Sequence, residues 1–379
     1  MIHKLPATWM RGGTSKGLFM LARDLPAQRE ARDALLLRAL GSPDPYGKQI
    51  DGLGGATSST SKVVIVGPTL QPDCDIEFLF GQVALDQARI DISGNCGNLT
   101  SAVAPFAIAQ GLVPAQAGCT TVRIWQANLG QRILAHVPTD AGGVVEEGVF
   151  REAGVAFPAA EIRLEFLDPV SAQEGGMLPT GNLQDDLHVP ELGVFRVSYL
   201  QAGNATIFVR AKALGLSGRE LPETLNRDRK LLEKLAAIRA HGAVQMGLAS
   251  SAETATQRRP ATPKLALIAP PASYSNSAGE AIEKTQMDVL ARIVSMGKVH
   301  HAFTGTGAIA LSVAAALPGT IVSEVARTLP GVATRIGHPS GVLPIEAEIE
   351  ALKSGWQVRR VLLSRSARVL MQGVVHVPA

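Results

Sequence analysis

The chain repeats itself, and the repeat limits the folds open to it. "PATWMRGGTSKGLFMLARDLP" near the start resembles "FRVSYLQAGNATIFVRAKALG" in the middle. "SSTSKVVIVGP" resembles "PATPKLALIAPP", which sets Lys62 opposite Lys264. "SGNCGNLTSAVAPFAI" resembles "AFTGTGAIALSVAAAL", which sets Cys96 opposite Thr304. The three pairs keep one order, and their spacing drifts slowly, as insertions would make it. Each copy reads as strand, glycine turn, strand, lysine-led apolar strand, and a glycine-rich loop opening an alanine-rich helix. At 379 residues the chain exceeds what one core usually serves. The expectation is two similar domains, 1–183 carrying Lys62 and Cys96, and 184–379. They would face each other across a cleft, and the final strand is a candidate to pack on the N-terminal domain. The acidic, glycine-rich "EGGMLPTGNLQDDL" reads as the linker region.

Short β-branched runs bounded by Gly or Pro, such as "KVVIVG", "DIEFLFG", "TVRIWQA", "ATIFVRA" and "KLALIA", outnumber helical patterns. Helical spacing is read in "QREARDALLLRAL", "PETLNRDRKLLEKLAAIRAHG" and "SAGEAIEKTQMDVLARIVSMG". The balance predicts an α+β fold with a mixed, mainly antiparallel sheet.

Composition removes several function classes. Aromatics are 4% and net charge is +3, which argues against nucleic-acid recognition by stacking or by a basic face. No apolar stretch reaches membrane-spanning length, and "MIHKLPATWMRGG" lacks a signal-peptide core. The cysteines Cys74, Cys96 and Cys119 form no disulfide framework, so a reducing cytoplasm is the expected location. Neither a spaced three-glycine dinucleotide fingerprint nor a phosphate-binding GxxxxGK[ST] loop is present.

A glycine-rich loop that opens a helix offers free backbone N–H groups and the positive end of a helix dipole. Two such loops suit a substrate with several carboxylates. A thiol at the start of a helix has a lowered pKa, so Cys96, between Asn95 and Asn98, reads as a proton carrier or nucleophile. Cys74 and Cys119 read as structural or incidental. Lys62 ends a flexible polar run and precedes an apolar strand, where an amine loses its proton more readily. Arg11 and Lys16 bracket the tight turn "RGGTSKG" and are candidates for carboxylate contacts. His300 and His301 are chain neighbours without further ligands at metal spacing, so a zinc site is not expected. His338 in "GHPSG" reads as a loop histidine within reach of substrate.

The cysteine-glycine-asparagine step and "FTGTGA" resemble the paired loops of diaminopimelate epimerase, each of which carries a thiol. Here the first corresponds to Cys96, and Thr304 replaces the second, which speaks against two-thiol racemase chemistry. The blocks "PATWMRGGTSKG", "GGATSSTSKVVIV", "SGNCGN", "FLDP", "PTGNLQDDLHVP", "SMGKVHHA", "GHPSG" and "SRSARVLMQG" resemble the PrpF-like 2-methylaconitate cis-trans isomerases over nearly the whole length. The resemblance implies two diaminopimelate epimerase-like domains, each with a sheet around a central helix. It implies an isomerase of an unsaturated tricarboxylate that uses no cofactor and no metal, with Lys62 and Cys96 as catalytic pair. Relatives act on oxalomesaconate or methylitaconate. The expected substrate-binding residues are Arg11, Thr14, Ser15, Lys16, Asn95, Gly97, Asn98, Thr304, Gly305, Thr306 and His338. The expected partner is a small di- or tricarboxylate, with no nucleic acid and no membrane; a homodimer is compatible with this reading. An accessory protein for an aconitase-like enzyme is the non-enzyme alternative.

Overall fold

A computed structural model describes residues 2–170, 176–329, 331–352 and 355–378. The chain divides into two compact units, Met1–Glu165 with Ser364–Ala379, and Phe166–Leu363. The sequence reading set the division near residue 184; in the structure the chain leaves the first unit after Glu165 and returns to it at Ser364. Of the linker stretch, Glu174 and Gly175 lie outside the described residues, and its end enters the strand Asp185–Val189.

In the first unit, the strands Ile2–Gly12 and Ser15–Leu21 form an antiparallel hairpin. Lys62–Gly67 runs parallel to its second strand, and Ile76–Val83 lies antiparallel beside that. Gly118–Gln126 follows in parallel and Gln131–Asp140 antiparallel. On the other side of the hairpin, Ala367–Pro378 pairs antiparallel with Ile2–Gly12, bringing Ile2 opposite Pro378.

The second unit follows the same plan. Asp185–Val189, Gly193–Ala202 and Asn204–Arg210 are antiparallel neighbours. Lys264–Ala269 then joins in parallel, Val289–Ser295 antiparallel, Thr334–His338 parallel, and Gly341–Leu352 antiparallel. Order and direction match the first unit strand for strand, so each unit is a mixed, mainly antiparallel sheet of α+β type.

Each unit also buries a helix. Gly97–Ala109 and Gly305–Ala316 are apolar around their whole circumference, a pattern that is stable only when every face is covered. Gly97 through Ile108 and Gly305 through Ala315 are accordingly buried. The few polar side chains in the first helix are satisfied locally: Ser101 Oγ donates to the Asn98 carbonyl (2.7 Å) and Thr100 Oγ1 to that of Cys96 (3.0 Å). A second core in the first unit joins the helix Arg29–Leu40, through Leu36 and Leu40, to Leu18, Val63 and Val377. Each such fully buried aliphatic side chain stabilises the fold by about 1.5–3 kcal/mol. Gly41 ends that helix at φ 73°, where its N–H reaches the carbonyls of Leu37 and Arg38.

Two helix expectations are corrected. The pattern over 222–242 splits into Pro222–Leu225 and Arg229–Gln245. Asn226 is held by the backbone of Val299 (2.8 and 3.0 Å), and Asp228 caps the second helix by accepting from Leu231 N at 3.0 Å. The stretch 277–297 contains no α-helix; its second half is the strand Val289–Ser295, buried along its whole length. Asp288 and Arg292 stand four apart and mimic the polar face of a helix. They instead have separate partners: Asp288 pairs with Arg335 (2.7 Å), and Arg292 donates to the carbonyls of Glu220 (2.7 Å) and Ala291 (3.0 Å).

Candidate active site

Lys62 begins its strand directly opposite Gln82, so the two side chains share one face. Lys62 Nζ donates to Gln82 Oε1 at 2.6 Å, and Gln82 Nε2 donates to the Ser61 carbonyl at 3.0 Å. The ring of Phe80 lies 5.1 Å from the ammonium nitrogen. Lys62 is 6% exposed. Burial lowers its pKa below lysine's ordinary 10.5, and the attraction and hydrogen bond of a Cys96 thiolate oppose that shift. Lys62 and Cys96 are therefore chemical neighbours.

Cys96 is the N-cap of the buried helix Gly97–Ala109, with extended backbone (φ −112°, ψ 93°). Its carbonyl accepts from Thr100 N at 3.0 Å, and its N–H donates to Asn95 Oδ1 at 2.6 Å. The thiol makes no capping hydrogen bond and is turned to Lys62 instead. The first turn of the helix leaves N–H groups without helical acceptors, a positive pole beside the thiol.

The hairpin turn is pressed against this helix start. Asn98 Nδ2 donates to Thr14 Oγ1 (2.9 Å) and Ser15 Oγ (3.5 Å). A Cβ on Gly12 would stand 2.7 Å from the Asn98 carbonyl, so only glycine permits the approach. Arg11 and Lys16 are opposite each other across the turn, which places both cations on one face. Arg11 Nη1 is engaged by the Ser366 carbonyl (3.0 Å) and hydroxyl (3.1 Å). Burial lowers the Arg11 pKa and nearby Glu152 opposes the shift. The first unit contains Arg11, Thr14, Ser15, Lys16, Lys62, Asn95, Cys96, Gly97 and Asn98, but the register aligns Lys62 with Gly17, so Lys16 and its partner Arg11 lie on the opposite face of the sheet from Lys62.

The other four expected residues belong to the second unit. Thr304 caps the helix Gly305–Ala316 by accepting from Gly307 N at 3.3 Å, so its hydroxyl is committed to the cap, whereas the Cys96 thiol makes no capping bond. Gly305 opens that helix, and Thr306 Oγ1 accepts from Asn204 Nδ2 at 2.9 Å. Lys264 repeats the Lys62 arrangement, donating to Ser295 Oγ at 2.9 Å. His338 is buried at the end of its strand, where Nδ1 accepts from Ser340 N at 3.2 Å. The rings of His300 and His301 stack at 4.4 Å, and among the described residues no group of three or more His, Cys, Asp and Glu side chains could hold a metal. Cys74 and Cys119 are unpaired thiols, one half-buried and one exposed. Among the described residues no helix is long and apolar enough to cross a membrane.

Sequence reasoning missed Gln82, Glu152, Arg365 and Ser366. Gln82 follows once the strand register is known. Arg365 and Ser366 lie in the block "SRSARVLMQG", whose resemblance was visible but whose side-chain roles were not. Glu152 carries no local signal.

The chain is 51% identical to the 2-methyl-aconitate isomerase of Shewanella oneidensis, over 99% of this chain and 97% of that one. It resembles the crystal structure of a methylitaconate-delta-isomerase (37% identity, TM-score 0.78, covering 99% and 96% of the two chains). A hydroxyproline epimerase from Agrobacterium vitis shares the fold alone (12% identity, TM-score 0.57, covering 99% and 93%). The PrpF protein family matches residues 2–378. This chain belongs to the PrpF family.

Proposed function

We propose that the protein is a cofactor-independent isomerase that converts 2-methyl-trans-aconitate to 2-methyl-cis-aconitate. The observation that carries this reading is the buried amine of Lys62 hydrogen-bonded to Gln82 and set against the Cys96 thiol at a helix start. The identity to a 2-methyl-aconitate isomerase, higher than that to the methylitaconate-delta-isomerase, favours this acid within the class.

The chemistry follows from the charges. Isomerising a double bond conjugated to a carboxylate begins with loss of an allylic proton. Lys62 in its neutral form takes that proton, and burial favours the neutral form. The electron pair left on carbon delocalises into the carboxylate, whose added charge is stabilised by the helix N–H groups and nearby cations. The bond order of the former double bond falls, rotation follows, and a proton returns from Lys62 or from Cys96. The reaction is redox-neutral, and one base with one nearby acid is sufficient. A second thiol is not needed, in keeping with the capping role of Thr304.

The test is proton NMR of the pure protein in deuterated buffer with a panel of unsaturated di- and tricarboxylates. 2-Methyl-trans-aconitate is expected to turn over and to acquire deuterium at the carbon that loses its proton. Lys62→Ala should abolish both turnover and exchange, a loss of about 10²–10⁴-fold or more. Cys96→Ser should slow turnover and retain some exchange. Near-parental exchange in Lys62→Ala with none in Cys96→Ser would reverse the two roles. Turnover of methylitaconate alone would move the substrate within the same class.

A further inference from the structure

We propose that Glu152 and Arg365 form a buried positioning pair that holds the Cys96 helix start in its working arrangement and sets the charge beside the thiol. The proposal rests on the reading of Cys96 as the site thiol. Neither residue belongs to the expected site set, and both lie in the first unit.

The pair is deeply buried, with 3% of the Arg365 side chain and 4% of the Glu152 side chain exposed, and they stand 3.3 Å apart. Each also reaches a residue of the site or of the tail beside it. Arg365 Nε donates to Asn98 Oδ1 at 3.1 Å. A guanidinium has only donors, so this contact fixes which end of the Asn98 amide faces it. The NH₂ end is then directed to Thr14 and Ser15, as observed. Glu152 Oε2 accepts from both the N–H and the hydroxyl of Ser366 at 3.0 Å, and the same residue engages Arg11. The three groups also close on the turn: a Cβ on Gly13 would lie 3.0 Å from Asn98 Oδ1, 3.0 Å from Glu152 Oε1 and 3.1 Å from Arg365 Cδ. One ion pair thereby orders the helix start and the hydroxyl-bearing turn together.

The charge has its own consequence. The Arg365 cation and a Cys96 thiolate attract each other, an interaction that partly offsets the cost of burying the guanidinium. The carboxylate of Glu152 tempers that field. Removing the two charges one at a time should therefore push thiol reactivity in opposite directions, which a scaffold of purely structural importance would not do. The thiolate is the form that alkylates.

The experiment is the rate of iodoacetamide modification of Cys96 at neutral pH, followed peptide by peptide so that Cys74 and Cys119 are counted separately. Arg365→Gln should slow Cys96 modification by about three- to tenfold, and Glu152→Gln should accelerate it by a similar factor. Arg365→Lys keeps the charge but not the planar Nε donor, so alkylation should stay near parental while kcat falls as Asn98 is released. Circular dichroism and urea unfolding establish that each variant is folded, and the Glu152 and Lys variants carry the test if Arg365→Gln does not fold. Alkylation rates that move together in Arg365→Gln and Glu152→Gln, or do not move, would overturn the proposal. The measurement needs no substrate. An error in the assigned reaction would instead appear as absent turnover in the parental protein with the alkylation pattern intact.

Discussion

Gly13 and Gly111 offer a matched pair of perturbations in one unit. Both have positive φ, 52° and 71°, and both adjoin the buried helix Gly97–Ala109, one at its start and one beyond its end. A Cβ at Gly111 would meet nothing within 4 Å, whereas one at Gly13 would press on Asn98, Glu152 and Arg365. Gly111→Ala should then cost only the left-handed backbone penalty, about 1–2 kcal/mol. Gly13→Ala carries the same penalty, and it also displaces buried polar groups from their partners at about 1–3 kcal/mol, for a total of about 2–5 kcal/mol. The assay is urea unfolding followed by tryptophan fluorescence. Trp9 and Trp125 report the first unit and Trp356 the second, so a Trp356→Phe background isolates the unit of interest. Turnover should fall in Gly13→Ala beyond what its unfolded fraction explains, and stay parental in Gly111→Ala. Equal stability losses at the two positions, or unchanged turnover in a folded Gly13→Ala, would refute the claim that the turn is clamped to the helix start.

The remaining expectations concern pH and metals. Because burial holds the Lys62 pKa below 10.5, kcat/KM should climb with pH and level off on a limb lying below that value. Lys62→Arg should remove both the limb and the activity, and a profile flat through the neutral and alkaline range would exclude Lys62 as base. The stability linkage has the same sign. The unfolded chain binds more protons at this residue between the lowered pKa and 10.5, so the burial penalty is complete below that window and is relieved as pH rises through it. Turnover should survive exhaustive chelation; activity lost to a chelator and restored by one defined divalent metal would show that an ion takes part.

What could be read from the sequence was whatever glycine and chain order encode. The two hairpin turns, the two lysine-led strands and the two helix starts announced themselves because each needs particular residues at close spacing, and Lys62 and Cys96 stand on those features. The support behind them was not readable. Glu152 and Arg365 meet across more than half the chain, and an ion pair at such separation leaves no periodicity. Gln82 sat in an apolar strand with nothing to mark it until its register with Lys62 was known. The strand Val289–Ser295 resembles a helix in sequence because a strand buried on both faces shows no alternation, and its one charge, Arg292, falls four residues after Asp288, which precedes the strand.

The pairing of Ile2–Gly12 with Ala367–Pro378 carries a consequence for how the molecule is made. During translation the first hairpin leaves the ribosome without one of its neighbours and waits while the second unit is synthesised. At about 5–20 residues per second that delay is of the order of tens of seconds. The second unit is continuous in the chain and can fold first. When it does, Asp168 N donates to the Arg359 carbonyl at 3.2 Å, so its point of entry and its point of exit become neighbours. A closure that would otherwise span most of the polypeptide is reduced to docking a short tail that has already been delivered. Arg365 arrives on that tail. A nascent chain can therefore carry both Lys62 and Cys96 while the first unit still lacks Arg365 and the strand that pairs with Ile2–Gly12.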